Sequence, residues 1–481
     1  MSDPSQDWVI SLTAVGADDL PTVGGKGAGL GVLAAAGLPV PSGFCVTTAA
    51  FDRFMGQDAE IEAMLGALDE LSAEDVEGVR QRAGRLREHL RTLEVPEAVA
   101  KAVRAAVVEA GQEHAYAVRS SATLEDLPDA SFAGQQDTYL EIRGAADIEQ
   151  RVRDCWASLF TDRAVLYRRQ HGYPSSAARL AVVVQRMARP EVSGILFTAD
   201  PVSGHRGICS IDASYGLGEA LVSGLVDADL YRVNKATGAL VEVRVGAKAR
   251  AIRPRDEGGT HMVDVPESDR ERRCLDDEAV ASLTALGLRV EALKGCPQDI
   301  EWGIEDGEVT LLQARAITSL FPLPEPVAPG RPRVYISFGH LQVNTAPIVP
   351  MAHSVFGHVF PFFKPGPGQV SRMLASAGGR IYVDLTAPLL RWPMSKIIPR
   401  VLMTLDSPVA ERLTAAIDRP EFHKGDEGRV LPRRGVLAVV RRALPRPLYR
   451  LWWARPMRAH EDYRQIIESN AGQCERRLAA A

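Results

Sequence analysis

The sequence is poor in the features that mark several protein classes. Its six cysteines, Cys45, Cys155, Cys209, Cys274, Cys296 and Cys474, are scattered over 481 residues. They form no CxxC pair and no zinc spacing, which argues against a disulfide scaffold or a zinc module and makes a reduced, cytoplasmic protein the expectation. Positive charge is not in excess: the formal net charge is −5, so no basic footprint for nucleic acid exists. No apolar run is long enough to span a bilayer. The opening residues MSDPSQDW have no basic start and no apolar h-region, so no signal peptide is expected. The P-loop spacing G-x-x-x-x-G-K-[ST] does not occur, and there is no internal repeat.

What remains is an ordinary globular composition, with 24% charged and 46% hydrophobic residues. The length suits about two to four domains. Residues 1–200 mix strands and helices. The stretch 22–37, TVGGKGAGLGVLAAAG, reads as a glycine loop entering a helix that Gly37 stops. Residues 48–56 read as a helix with Thr48 as N-cap, 58–111 as charged helix, 147–171 as one helix, and 179–187 as a buried strand. Residues 193–318 are richer in strands. The proline-rich stretch 321–332, FPLPEPVAPGRP, is a linker candidate. Beyond it, 333–481 is apolar, aromatic and rich in arginine.

Residues 298–317, QDIEWGIEDGEVTLLQARAI, carry the densest chemistry. They read as a β-hairpin whose period of two puts Ile300, Trp302 and Ile304 on one side with Leu312 and Ala314. Asp299, Glu301, Gln313 and Arg315 then share the other face. Carboxylate and amide oxygens suit Mg²⁺, and an arginine beside them suits a phosphate. Asp306-Gly307 invites a two-residue type I′ turn, but that turn sets Ile300 against Gln313 and mixes the faces. A three-residue loop, Glu305 to Gly307 with Gly307 in the left-handed region, keeps the faces clean and sets Asp299 against Gln313. Register follows the buried face, so the three-residue loop is the expectation. Ordinary surface charge on a half-exposed hairpin is the alternative.

Three further stretches could meet a phosphate. Gly24-Gly25-Lys26-Gly27 could bring backbone N–H groups and an ammonium to an anion at a helix start, or be a turn without a ligand. Gly29, Gly31 and Ala34 match G-x-G-x-x-A, but no strand immediately precedes them. Arg119 ends an apolar strand before Ser120 and Ser121, where a charge needs a carboxylate or a phosphate. Residues 131–139, SFAGQQDTY, form a small-residue loop that could fold over a triphosphate or be a plain turn.

Together these motifs resemble one family. GGKGAGL with G-L-P-V-P-x-G-F comes first, then Y-A-V-R-S-S-A-T-x-E-D-x-P-x-A-S-F-A-G-Q. V-V-V-Q-R-M, S-G-I-L-F-T-A-D-P-V-S-G and D-I-E-W…L-L-Q-A-R follow in order. Residues 10–318 thus resemble the ATP-binding domain shared by phosphoenolpyruvate synthase, pyruvate phosphate dikinase and rifamycin phosphotransferase. The resemblance implies an α+β, ATP-grasp fold holding ATP between two lobes, 1–200 and 201–320. By matching motif it implies that Lys26 and Arg119 bind phosphates, with Gly134 and Thr138 in the loop over them. It places Gln185 at the adenine near Met187. It implies that Asp299, Glu301, Gln313 and Arg315 bind Mg²⁺–ATP, with Glu301 and Gln313 as metal ligands and Lys26, Arg119 and Arg315 in the catalytic role.

The second half resembles the drug-binding domain of rifamycin phosphotransferases more loosely, through 339–358, 378–389 and 405–413. That implies a partial, mostly helical acceptor-binding domain for a rifamycin-like or other small molecule. Family enzymes pass a phosphoryl group through a histidine in a Thr-Ser-His motif, and no such stretch occurs in these residues. A separate phosphohistidine domain protein is therefore an expected partner. His353 and His205 are the lookalikes, the first in the acceptor region and the second in a loop. Arginines crowd 433–464 around Trp452 and Trp453, but Pro445, Pro447 and Pro456 break any long helix, so a surface or packing segment is expected. Three readings stay open: the ATP-activating part of a dikinase-type phosphotransferase, a phosphoenolpyruvate synthase-like protein, and a non-catalytic ATP-binding module.

Overall fold

The computed structural model of the chain describes residues 7–72, 74–123, 126–127, 130–131, 138–255, 257–324, 333–337, 347–348, 350–359, 373–390, 394–405, 407–418 and 422. The chain divides into two units, Met1–Phe321 and Pro322–Ala481. It is a mixed α and β protein.

The first unit is built on two antiparallel sheets. One has five strands in the order Val9–Ser11, Gly43–Val46, Leu180–Arg186, Ala115–Ala122 and Thr138–Arg143. Its central strand, LAVVVQR, is buried at every residue but Arg186, which explains its unbroken apolar run. Helices Thr48–Met55, Val76–Thr92, Glu97–Ala110 and Ala145–Ser158 supply the core of this part. Within it Trp156 packs on Phe51 and Phe54, with ring centroids 6.3 and 4.8 Å away. The expected 147–171 helix is in fact two, Ala145–Ser158 and Asp162–Gln170. Thr47, not Thr48, caps the helix at 48–55, its side chain accepting from the Ala50 N–H.

The other sheet has six strands in the order Leu240–Arg244, Asp229–Asn234, Ile208–Tyr215, Val192–Phe197, Gln298–Glu305 and Glu308–Ala316. Helix Asp277–Lys294 packs on it through Val280, Leu283 and Val290. The chain passes from the first sheet to the second between Arg186 and Val192. Helix Leu20–Ala35 sits against the five-stranded sheet through Val23, Leu30, Cys45 and Val183. The loop after it reaches the hairpin, where the Leu311 N–H donates to the Pro39 carbonyl at 2.7 Å.

The hairpin corrects the sequence expectation at its tip. Glu305 pairs with Glu308, so the loop has two residues. Asp306 and Gly307 have φ of 52° and 80°, the left-handed pair of a type I′ turn. Gly307 is left-handed as expected, but the odd residue lies inside the second strand. Glu301 pairs with Gln313 and Trp302 with Leu311, leaving Leu312 as a bulge. Asp299 therefore faces Arg315, not Gln313. Leu311, rather than Leu312, joins Ile300 and Trp302 in the core, all at most 1% exposed.

In the second unit, strands Tyr335–Ser337, Arg380–Asp384 and Leu374–Ala377 form an antiparallel sheet in that order. Helices Pro350–Val359, Thr386–Leu389, Met394–Leu405 and Ser407–Ile417 accompany it. Ile336, Leu389, Leu402, Ala410, Leu413 and Phe422 share one core. Residues 325–332 of the linker candidate and the arginine-rich 433–464 lie outside the described residues. Among the described residues, no helix is long and apolar enough to cross a membrane.

Candidate functional site

The glycine loop is shaped by one contact. Gly24 has φ 70° and ψ 175° and interrupts helix Leu20–Ala35 before Lys26. A Cβ on Gly24 would lie 2.1 Å from the Ser121 carbonyl oxygen. Only glycine supplies both this backbone and this close approach. Ser121 locks the junction: its hydroxyl donates to the Val23 carbonyl at 2.7 Å and accepts from the Gly27 N–H at 3.1 Å. The helix start and Lys26 are thereby fixed against the strand that carries Arg119.

Arg119 crosses from the first sheet to the hairpin of the second. Its Nη2 donates to Glu301 Oε2 at 3.0 Å and to Gln313 Oε1 at 2.7 Å. Its Nη1 donates to the carbonyl of the bulged Leu312 at 2.9 Å. The Arg119 side chain is only 12% exposed, so such partners are required to offset its burial. Two strand positions further from Glu301, Arg315 donates to Asp299 Oδ2 through Nε and Nη2, both at 2.8 Å. Burial pushes the Asp299 carboxyl above the ordinary range, and Arg315 opposes that rise.

These groups line a cavity of about 300 Å³, within the range of small-molecule pockets. Lys26, Arg119, Thr138, Gln185, Glu301, Gln313 and Arg315 all border it. Asp299 stands behind Arg315 as its partner. Thr138 faces Arg119 across the strand pair. Gln185 is 2% exposed and reaches the Pro41 carbonyl at 3.4 Å. Gly134 falls outside the described residues. Four cationic side chains, Lys26, Arg119, Arg186 and Arg315, meet two carboxylates, Glu219 and Glu301, on the walls, a balance that favours a polyanion.

Other lining residues escaped the sequence reading. Leu217, Gly218, Glu219, Val222 and Ser223 border the cavity, as do Leu140, Ala188 and Pro190, beside the Met187 that was expected near the adenine. The first group follows strand Ile208–Tyr215 in the stretch SYGLGEALVSG, whose paired glycines were the available signal. Ala188 lies between the two sheets, and among the described residues nothing hydrogen-bonds its backbone N–H or C=O. Of the two histidines, His205 sits in an exposed loop and accepts from the Gly207 N–H at 3.0 Å. His353 lies in helix Pro350–Val359 of the second unit.

The donor set fits a hard cation. Glu301 Oε2 and Gln313 Oε1 converge on the same Arg119 nitrogen, so two oxygens of the right type already point at one cationic position.

Comparison with known proteins agrees with this chemistry. The pyruvate phosphate dikinase AMP/ATP-binding domain matches residues 20–323. A rifampicin phosphotransferase of Bacillus cereus is 41% identical over 418 residues, 87% of this chain and 47% of its own length. A rifampicin phosphotransferase of a Streptomyces species is 46% identical over 384 residues, 79% of this chain and 43% of its own. A probable phosphoenolpyruvate synthase of Methanothermobacter thermautotrophicus is 43% identical over 323 residues, 66% of this chain and 47% of its own. The chain thus spans about half the length of these relatives. A domain match over residues 20–323, on a unit that brings the glycine loop, Arg119 and the polar hairpin face to one cavity, means that the chain belongs to the pyruvate phosphate dikinase AMP/ATP-binding family.

Proposed function

We propose that the cavity binds ATP with Mg²⁺ in the ATP-grasp manner and activates it for phosphoryl transfer toward a small-molecule acceptor. The observation that carries this is the convergence of Glu301, Gln313 and Arg119 on a cavity that the apolar cluster of Leu140, Met187 and Leu217 also lines. We place the adenine among Leu140, Met187, Pro190 and Leu217, beside Ala188, whose N–H and C=O have no hydrogen-bond partner among the described residues and could meet a purine edge. Lys26, Arg119 and Arg315 neutralise and orient the phosphates. Glu301 and Gln313 are the metal ligands, and Asp299 holds Arg315 in place. Bound Mg²⁺ would supply further charge neutralisation between phosphates. Phosphoryl transfer gains most of its rate from such positioning and charge.

For the acceptor, a rifamycin-like molecule is the better reading. An alignment of 418 residues with the Bacillus cereus rifampicin phosphotransferase is longer than the first unit and must continue into the second. The phosphoenolpyruvate synthase alignment covers 66% of this chain, a share that the first unit can hold by itself. We further propose that a histidine domain on a separate protein or segment carries the phosphoryl group between ATP and acceptor, because no Thr-Ser-His stretch is present in these residues.

Titration calorimetry with a non-hydrolysable ATP analogue tests the site. In wild type, affinity should rise on adding Mg²⁺. In Glu301→Ala and Gln313→Ala that rise should shrink by about tenfold or more, as loss of a carboxylate or an amide oxygen ligand of a bound cation predicts. An unchanged Mg²⁺ dependence in both variants would overturn the assignment.

A further inference from the structure

Arg119 and a metal ion claim the same two oxygens. Its Nη2 already bonds Glu301 Oε2 at 3.0 Å and Gln313 Oε1 at 2.7 Å. A guanidinium stays charged at any ordinary pH, and the Arg119 side chain is only 12% exposed, so it needs an anionic partner at all times. If a divalent cation took Glu301 and Gln313 while Arg119 stayed, two positive groups would crowd one carboxylate. The cation can enter only as Arg119 finds another anion. Arg315 does not face this choice, because Asp299 is its own carboxylate at 2.8 Å. The Nη1 bond from Arg119 to the Leu312 carbonyl at 2.9 Å involves neither contested oxygen. It can tether the guanidinium to the hairpin while Nη2 changes partner.

Building on the nucleotide reading above, we propose that Arg119 is an exchange residue. Without nucleotide it neutralises Glu301 and blocks the metal position; the nucleotide's phosphates draw it away and release Glu301 and Gln313 to the cation. Metal and nucleotide then bind as a coupled pair, each strengthening the other by the same factor. The bulge at Leu312 belongs to this device, since it turns a main-chain carbonyl toward Arg119 beside Gln313.

Two measurements test it. The first is electron paramagnetic resonance titration of Mn²⁺ without nucleotide. Arg119→Met should bind Mn²⁺ at least about fivefold more tightly than wild type, in the range of ordinary coupling. Adding Glu301→Gln to that variant should abolish the gain. The second is calorimetry of a non-hydrolysable ATP analogue in EDTA. Glu301→Gln should tighten metal-free binding at least about fivefold, because Arg119 is no longer held by a carboxylate. In the Arg119→Met background the same change should do nothing, a non-additivity that separates exchange from general charge removal. Glu301→Gln keeps the shape of the side chain, so this arm can be read even if Arg119→Met fails to fold. Then, absence of tightening overturns the proposal. Unchanged Mn²⁺ affinity in Arg119→Met, or equal tightening in both backgrounds, also overturns it. If Mg²⁺-dependent nucleotide binding is intact in those cases, the exchange alone falls. If wild type binds no nucleotide with or without metal, the nucleotide reading falls and the exchange with it.

Discussion

Lys248 and Asp229 form an ion pair in which neither side chain has any exposed surface. Asp229 is fully employed: it also accepts from the Gly246 N–H at 2.9 Å, the Cys274 N–H at 2.7 Å and the Tyr231 hydroxyl at 3.1 Å. Lys248 donates in addition to the Gly246 carbonyl at 2.9 Å. The pair ties strand Asp229–Asn234 to the loop before residue 250 and to the start of helix Asp277–Lys294. Removing one partner leaves a buried uncompensated charge, which costs about 3–5 kcal/mol. Lys248→Met should therefore lower unfolding free energy by about that amount in urea denaturation. Adding Asp229→Asn should restore part of it, because the amide can keep neutral hydrogen bonds. A double variant less stable than Lys248→Met would contradict this account.

Gly24 and Ser121 make the second test. At Gly24 both φ, 70°, and a Cβ-to-carbonyl distance of 2.1 Å forbid a side chain. Gly24→Ala should cost about 1–3 kcal/mol in stability. It should also weaken nucleotide binding, since the same junction places Lys26. Gly37 has a similar φ, 68°, but open space around it, so Gly37→Ala should show the backbone cost alone with nucleotide affinity unchanged. Equal losses of affinity in both would mean that Gly24 does not act through its contact with Ser121.

Much of the site was legible in the sequence because its residue types are costly without a purpose. A guanidinium within an apolar strand at Arg119, and a hairpin face carrying Asp299, Glu301, Gln313 and Arg315, each needed explaining; the structure brings Arg119, Glu301, Gln313 and Arg315 to one cavity, with Asp299 paired to Arg315. The place of the odd hairpin residue was not legible. Alternation of faces requires one extra residue but is silent on its position, and the local preference of Asp306-Gly307 for a tight turn prevailed over a longer loop. The cap shifted from Thr48 to Thr47 because two adjacent threonines carry the same signal. The buried pair of Lys248 and Asp229 joins residues nineteen apart that no periodicity connects. The walls from Leu217 to Ser223 come from the short helix Glu219–Val222 and the residues around it, where Glu219 is the one charged side chain and no spacing connects it to the hairpin.

Asp299 gives a prediction in pH. Burial raises its carboxyl above the ordinary range, Arg315 lowers it in part, and Glu301 adds to the rise. A carboxyl that holds its proton more tightly folded than unfolded costs stability when ionised. That cost is absent below the unfolded value and grows as pH rises through the folded one. Asp299→Asn should therefore flatten the fall of stability with rising pH in the acidic range, and Arg315→Met should steepen it. Urea denaturation series from about pH 4 to pH 7, around the ordinary carboxylate range and above it, measure the slopes. Identical slopes in wild type and Asp299→Asn would remove Asp299 from the account.

Leu312 offers the sharpest test of how the hairpin works. It is the single residue on its strand without a partner, between Leu311 opposite Trp302 and Gln313 opposite Glu301. Deleting it should leave every cross-strand pair as it is, with Leu311 and Ala314 still on the core side and Gln313 and Arg315 still on the cavity side. What disappears is the carbonyl that accepts from Arg119 Nη1 at 2.9 Å. One hydrogen bond to a charged group contributes about 1.5–3 kcal/mol, so the deletion variant should fold with its stability lowered by about that amount and bind the ATP analogue more weakly, because Arg119 is no longer tethered. Deleting Ala314 instead moves Arg315 opposite Ile300, which is 0% exposed, and turns a charge toward the core. That variant should lose stability outright, by more than the Leu312 deletion in the same urea titration. Equal damage from the two deletions would mean that the bulge, and not only the pairing, holds the hairpin together.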